Sequence, residues 1–212
     1  MPKTQSPRAR AKKIKLLLFD VDGVLTDGKI FIFPAPAGIS TSNETPASPT
    51  SEDTGAGGFG LTSQTMIEAK GFHAHDGAAI SLARLAGIKT GLITKRISET
   101  VALRARDLRL EHVYQGIQDK LTVFEKILAQ EQIMASEAAY VGDDVIDLPV
   151  MRHCGLAIAV ANARQEVKRE AHFVTRQEGG DGALRDTIEF ILKAQGKWKR
   201  VVSEYICERS DS

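Results

Sequence analysis

The side chains in this sequence whose spacing most plainly serves chemistry are carboxylates. Asp20 and Asp22 stand two residues apart in Asp20-Val21-Asp22-Gly23, directly after the short apolar run Lys15 to Phe19. A second acidic group, Asp143, Asp144 and Asp147, follows the run Ala138 to Val141. Carboxylates gathered at one place repel one another and need a cation. Oxygen ligands favour Mg²⁺, which binds through one or two carboxylates, waters and a substrate phosphate. Thr94, after the run Lys89 to Ile93, offers a hydroxyl, and Lys120, a few residues beyond Tyr114, offers an ammonium. Both can neutralise and orient a phosphate. In that setting Asp20 can attack phosphorus and form an aspartyl phosphate. Asp22 can protonate the leaving alkoxide and then activate the hydrolytic water. Gly23 lets the backbone turn sharply past the phosphate.

These residues meet only if the intervening elements bring them together. The runs Lys15–Phe19, Lys89–Ile93, His112–Tyr114, Ala138–Val141, Leu156–Val160 and His172–Val174 read as strands buried on both faces of a parallel sheet. Segments of helical period lie between them: Gly77–Ala86 with Asp76 as N-cap, Glu99–Leu108 after Ser98, Lys120–Gln130 opened by Asp119, Ala163–Ala171 and Gly182–Ala194. The alternation predicts an α/β fold with a doubly wound, mostly parallel, Rossmann-like sheet, which binds ligands at the carboxyl ends of its strands. Asp20, Asp22, Thr94 and Asp143 all fall at such ends. Lys29–Phe33 and Thr65–Ala69 predict an antiparallel β-hairpin inserted after the first strand. Residues 34–64, rich in Pro, Ser, Thr and Gly, are expected to form its long flexible tip. Residues 1–13 are expected to be a disordered basic tail, 14–196 a single domain, and 197–212 a C-terminal tail.

The bulk composition excludes several classes. With 212 residues, 42% hydrophobic and 26% charged, the chain suits one soluble globular domain. Lys and Arg number 28 against 27 Asp and Glu, so no charge excess points to nucleic acid or a membrane surface. No apolar run is long enough to cross a bilayer, and no apolar stretch follows the basic N-terminus as in a secretory signal. Cys154 and Cys207 lie far apart and are expected to be reduced thiols, which fits the cytoplasm.

The residues Asp20 to Gly28, Thr94, Lys120 and Gly142-Asp143-Asp144 resemble, in order, the four motifs of the haloacid dehalogenase superfamily. Val24 to Gly28, Tyr114-Gln115-Gly116, Pro149-Val150-Met151 and Gly179-Gly180 with Gly182, Ala183 and Arg185 resemble more closely its branch acting on eight-carbon ulosonate phosphates of the lipopolysaccharide pathway. The resemblance implies Asp20 as nucleophile, Asp22 as acid and base, and Thr94 and Lys120 as phosphate ligands. It implies Mg²⁺ held by Asp20, the carbonyl of Asp22 and Asp143, supported from behind by Asp144 and Asp147. The spacing leaves no room for a cap domain, since one helix and one strand fill the interval between Thr94 and Lys120. A homotetramer whose hairpins pack together, each site closed by a neighbour, is implied in its place, and it would also cover the apolar Lys29–Phe33 strand.

Two departures bear on the substrate. His75-Asp76-Gly77 stands where the branch has Arg-Asp-Gly, which makes His75 a substrate-facing candidate. Ile93-Thr94-Lys95-Arg96 stands where it has Ile-Thr-Gly-Arg. Lys95 then strengthens phosphate binding, narrows the pocket, or points to solvent; Arg96 is a substrate candidate beside it. The pair His73 and His75 lacks the further ligands of a metal site. A nine-carbon ulosonate 9-phosphate is the alternative substrate, and a catalytically idle assembly module the alternative role. A signalling receiver domain, which uses similar groups, has them in a different order along the chain.

Overall fold

The computed structural model describes residues 5–35, 59–60 and 66–208. In chain order the elements are α1 (Pro7–Ala11), β1 (Leu16–Phe19), β2 (Phe31–Pro34), β3 (Phe59–Gly60), β4 (Met66–Ala69), α2 (Ala74–Leu85), β5 (Lys89–Ile93), β6 (Arg96–Ile97), α3 (Glu99–Asp107), β7 (His112–Tyr114), α4 (Lys120–Glu131), β8 (Ala138–Gly142), α5 (Leu148–His153), β9 (Leu156–Ala159), α6 (Gln165–Glu170), β10 (Phe173–Val174), α7 (Ala183–Ala194) and α8 (Trp198–Glu208). Six strands make one parallel sheet in the order β10-β9-β8-β1-β5-β7. β1 lies inside it, with Phe19 opposite Leu92 of β5 and Val141 of β8. Leu16, Leu17, Leu18 and Phe19 are all buried. Burying each such side chain contributes about 1.5–3 kcal/mol, which is why this uninterrupted apolar strand takes an interior position.

The predicted starts of two helices agree with their caps. Ser98 Oγ accepts from the Val101 amide of α3, and Asp119 Oδ1 accepts from the amides of Leu121 and Thr122 of α4. The third differs: α2 starts at Ala74, with His73 Nδ1 accepting from the His75 amide. Asp76 is therefore inside the first turn and fully buried, and its Oδ1 accepts the Arg185 amide at 2.8 Å. It satisfies an open N–H in the first turn of α7 rather than of its own helix.

Both expected tails contain helices. Ser6 caps α1, Pro7 opens it, Ala11 is buried, and Arg10 Nη1 donates to the Gly155 carbonyl at 2.8 Å. α8 packs on α2, with Val201 buried and Trp198 lying under the cations of Arg185 and Lys193. The composition of residues 1–13 suggested a solvated tail, but burying one small face of α1 against α7 and β9 is enough to seat it.

β2 and β4 form the predicted antiparallel hairpin, with Phe31 opposite Ala69 and Phe33 opposite Ile67. Phe31, Ile32 and Phe33 are each about half exposed. Most of the expected flexible tip, 34–64, lies outside the described residues. Phe59–Gly60 within it is a strand, paired in parallel with Arg96–Ile97 of β6. Among the described residues no helix is long and apolar enough to cross a membrane.

Candidate active site

The parallel sheet brings the ends of β1, β5 and β8 side by side, and with them Asp20, Thr94 and Asp143. The Asp20 amide donates to the Val141 carbonyl at 3.0 Å, which continues the β1 and β8 ladder as far as Asp20. Asp20 and Thr94 are buried, at 4% and 3% exposure. Asp119, by capping α4, fixes Lys120 as the first residue of that helix. Lys120 Nζ lies 2.9 Å from Asp20 Oδ1 and 2.8 Å from Asp147 Oδ1.

Asp147 has no exposed surface and four donors. Its Oδ1 accepts from Lys120 and, at 2.9 Å, from the Tyr140 hydroxyl. Its Oδ2 accepts from the amides of Asp143, at 3.0 Å, and Asp144, at 3.4 Å. The Asp144 side chain instead caps its own turn, with Oδ1 accepting from the Val145 amide at 2.7 Å. The place behind Asp143 that the sequence assigned to both residues is occupied by Asp147.

Carboxylate oxygens of Asp20, Asp143 and Asp147 lie within 4.8 Å of one another. Burial, with Asp147, Asp20 and Asp144 nearby, pushes the Asp143 carboxyl up to about 7. Burial likewise raises Asp20 to about 6 against the opposing pull of Lys120. Burial alone would lower the Lys120 ammonium, but Asp20 and Asp147 more than reverse it, so it stays charged. Asp143 Oδ1 is buried and has no hydrogen-bond partner among the described residues. Two carboxylates driven towards protonation, one with an orphaned oxygen, fit a hard divalent cation. Asp147 has its lone pairs taken by donors, so Asp20 and Asp143 are the direct ligands this geometry offers.

The turn Val21–Leu25 departs from helical angles at Asp22 and Gly23, where Gly23 has φ of 96°. A Cβ on Gly23 would stand 2.2 Å from Asp143 Oδ2. From the other side, a Cβ on Gly179 would stand 1.7 Å from the Gly23 carbonyl oxygen. The Gly180 amide donates to the Val24 carbonyl at 2.9 Å, so the loop before α7 clamps this turn.

The remaining candidates divide. Asp22 is partly exposed, with Oδ1 ion-paired to Lys70 and Oδ2 3.7 Å from Arg96 Nε. Arg96 Nη2 also lies 3.1 Å from Glu68 Oε2, so the residue considered for substrate binding is held by two carboxylates. Lys95 is half buried between β5 and β6. His75 is exposed on the first turn of α2, edge-on to His73 at 4.9 Å, and neither histidine belongs to the acidic group. Sequence reasoning missed Lys70, Glu68 and Tyr140. A lysine ending a hairpin strand reads as solvated, and a tyrosine within an apolar run reads as core.

The family described as haloacid dehalogenase-like hydrolase matches residues 92–185. The chain belongs to this family and is a phosphatase of it, as relatives over nearly its full length attest. A 3-deoxy-D-manno-octulosonate 8-phosphate phosphatase of Yersinia pestis is 37% identical over 89% of this chain and 84% of its own length. The enzyme so named from Escherichia coli K12 is 37% identical, over 89% of this chain and 85% of its own. The solved structure of a phosphatase of that name from Moraxella catarrhalis, in complex with magnesium, phosphate and KDO, has a TM-score of 0.76 and 31% identity, covering 94% of this chain and 97% of that one.

Proposed function

We propose that this phosphatase uses Mg²⁺ to hydrolyse an acidic sugar phosphate, 3-deoxy-D-manno-octulosonate 8-phosphate, to KDO and phosphate in the cytoplasm. The observation that carries the chemistry is the pairing of buried Lys120 with Asp20 beside an Asp143 oxygen that has no hydrogen-bond partner among the described residues. A phosphate seated there would meet Lys120 and Thr94. Mg²⁺, held by Asp20 and Asp143 with the Asp22 carbonyl, would supply the charge that keeps both carboxylates ionised beside a phosphate. An Asp20 oxygen then attacks phosphorus, and the bond from phosphorus to the sugar oxygen breaks. Asp22 gives its proton to that oxygen. In the second half, Asp22 takes a proton from water, whose oxygen attacks phosphorus and releases phosphate from Asp20.

The eight-carbon substrate is supported by the names of the relatives and by the ligands of the Moraxella catarrhalis structure. The exposed Phe31, Ile32 and Phe33 of β2 support a homotetramer in which hairpins cover one another and close the sites. The deciding experiment is phosphate release from the eight-carbon and nine-carbon ulosonate phosphates, side by side, with and without Mg²⁺. The reading predicts Mg²⁺-dependent turnover that favours the eight-carbon substrate. Preference for the nine-carbon compound would reassign the substrate, and no turnover of any phosphate ester would leave only an assembly role.

A further inference from the structure

The backbone of Asp143 is fixed on both sides. Its amide donates to Asp147 Oδ2 at 3.0 Å, and its carbonyl accepts from the Arg164 amide at 2.9 Å. The carboxylate is held differently. Oδ1 has no hydrogen-bond partner among the described residues, and Oδ2 lies so near Gly23 that no side chain would fit between them. The direction of that carboxylate therefore depends on where Gly23 sits. The turn around Gly23 has non-helical angles at Asp22 and Gly23, so its own helical bonds do not fix it. Support comes from outside. Gly179 packs against the Gly23 carbonyl, and the Gly180 amide donates to the Val24 carbonyl at 2.9 Å.

The loop that carries Gly179 and Gly180 has a tether of its own. Asn162 Oδ1 accepts from the Gly179 amide at 3.0 Å. Asn162 stands in the turn after β9, where the Ala161 amide donates to the Gln177 carbonyl at 3.3 Å and the Arg164 amide holds the Asp143 carbonyl. These contacts close a ring, from the Asp143 backbone through Arg164, Asn162, Gly179 and Gly23 to the Asp143 carboxylate. Apart from Asp143, Asn162 is the member that joins this ring through a side chain; its other links are backbone. We propose that Asn162 is a positioning residue for the metal site. By holding Gly179 against the Gly23 turn, it sets the Asp143 carboxylate for a divalent cation, although it is not one of the carboxylates gathered there. This rests on the reading of Asp20 and Asp143 as Mg²⁺ ligands. Residues that orient metal ligands from behind typically change affinity by about 10–100-fold. Asn162 acts across two glycines, which places its effect at the low end of that range.

The test is isothermal titration calorimetry of Mg²⁺ into the full chain, without substrate, for wild type, Asn162→Ala and Asn162→Asp. Alanine loses the acceptor, and its Kd for Mg²⁺ is expected to rise about 10-fold. Aspartate keeps an Oδ acceptor in the same place and is expected within about 3-fold of wild type. Asn162 is exposed, so water can reach the freed Gly179 amide, and circular dichroism should find the alanine variant folded. An alanine variant that melts lower yet binds Mg²⁺ as tightly as wild type would overturn the proposal, because a merely structural asparagine alters stability and not the affinity of the folded site. An aspartate variant as weak as alanine would overturn it too. If Asn162→Ala is unfolded, Asn162→Leu is measured instead with the same expectation. Unfolding of both also overturns the proposal, since it would make Asn162 a requirement of the fold. Wild-type protein that binds no Mg²⁺ would refute the metal assignment itself, which is a different result.

Discussion

Asp147→Asn keeps the shape of the side chain and removes its charge, and the geometry around it sets the cost. Asp147 accepts four hydrogen bonds, two at each oxygen. An asparagine that turns its oxygen to Lys120 and Tyr140 points its NH₂ at the amides of Asp143 and Asp144, donor against donor. The opposite rotamer points NH₂ at the ammonium. Each buried donor left without an acceptor costs about 1–3 kcal/mol. Lys120 retains Asp20 as a partner, so the full 3–5 kcal/mol of a broken buried pair is not reached. A destabilisation of about 3 kcal/mol follows, which lowers Tm by about 6–12 °C in a chain of this size. The Asp143 backbone also loses its anchor, and a misplacement of about 1 Å lowers kcat roughly 100-fold. Differential scanning calorimetry without Mg²⁺ and steady-state turnover with it measure the two effects. A variant that melts within about 2 °C of wild type and turns over normally would refute the role of Asp147 as the buried anchor of the site.

Three further outcomes are expected. The folded protein holds Asp20 near 6 and Asp143 near 7, above the 3.8 of a free aspartate, so it disfavours their ionised forms. Without metal, their contribution to stability is complete below about pH 4 and is lost as pH rises through 6 and 7. Melting curves from pH 4 to 8 should show this fall, and saturating Mg²⁺ should reverse it; a melting temperature independent of Mg²⁺ at pH 8 would contradict the metal assignment. Gly179→Ala puts a methyl 1.7 Å from the Gly23 carbonyl oxygen, so the loop or the turn must move. Turnover is expected to fall by about 100-fold or more with the fold retained by circular dichroism, and normal turnover would refute the clamp. Phe31→Asp with Phe33→Asp removes the exposed apolar strand and should lower the mass in light scattering. An unchanged mass would place any assembly surface elsewhere.

The sheet was legible because β1, β8 and β9 are uninterrupted apolar runs and β5 ends on the apolar pair Leu92-Ile93, and such runs in a parallel sheet carry their following residues to one end. That logic also brought Asp20, Thr94 and Asp143 together. Lys120 was legible because Asp119 is a strong cap that fixes where α4 begins. What was hidden depends on partners distant in sequence. Asp76 looked like the cap of its own helix, while its acceptor serves Arg185, 109 residues away. Lys70 looked solvated because neither Asp22 nor Glu68 announces itself as its partner. The sequence offered Asp144 and Asp147 as equivalent supports, and only the short turn Val145–Asp147 decides which carboxylate faces inward. Helix α1 escaped notice because its single buried side chain, Ala11, leaves almost no periodic signal.

The central claim is that Asp20 carries the phosphoryl group. Acid quenching during turnover of a sugar phosphate, reduction with borohydride and peptide mass spectrometry would locate an acyl phosphate directly. The account predicts homoserine at position 20 and at no other aspartate, present only when Mg²⁺ and substrate are both supplied. Reduction at another residue, or active enzyme with position 20 unmodified, would contradict it.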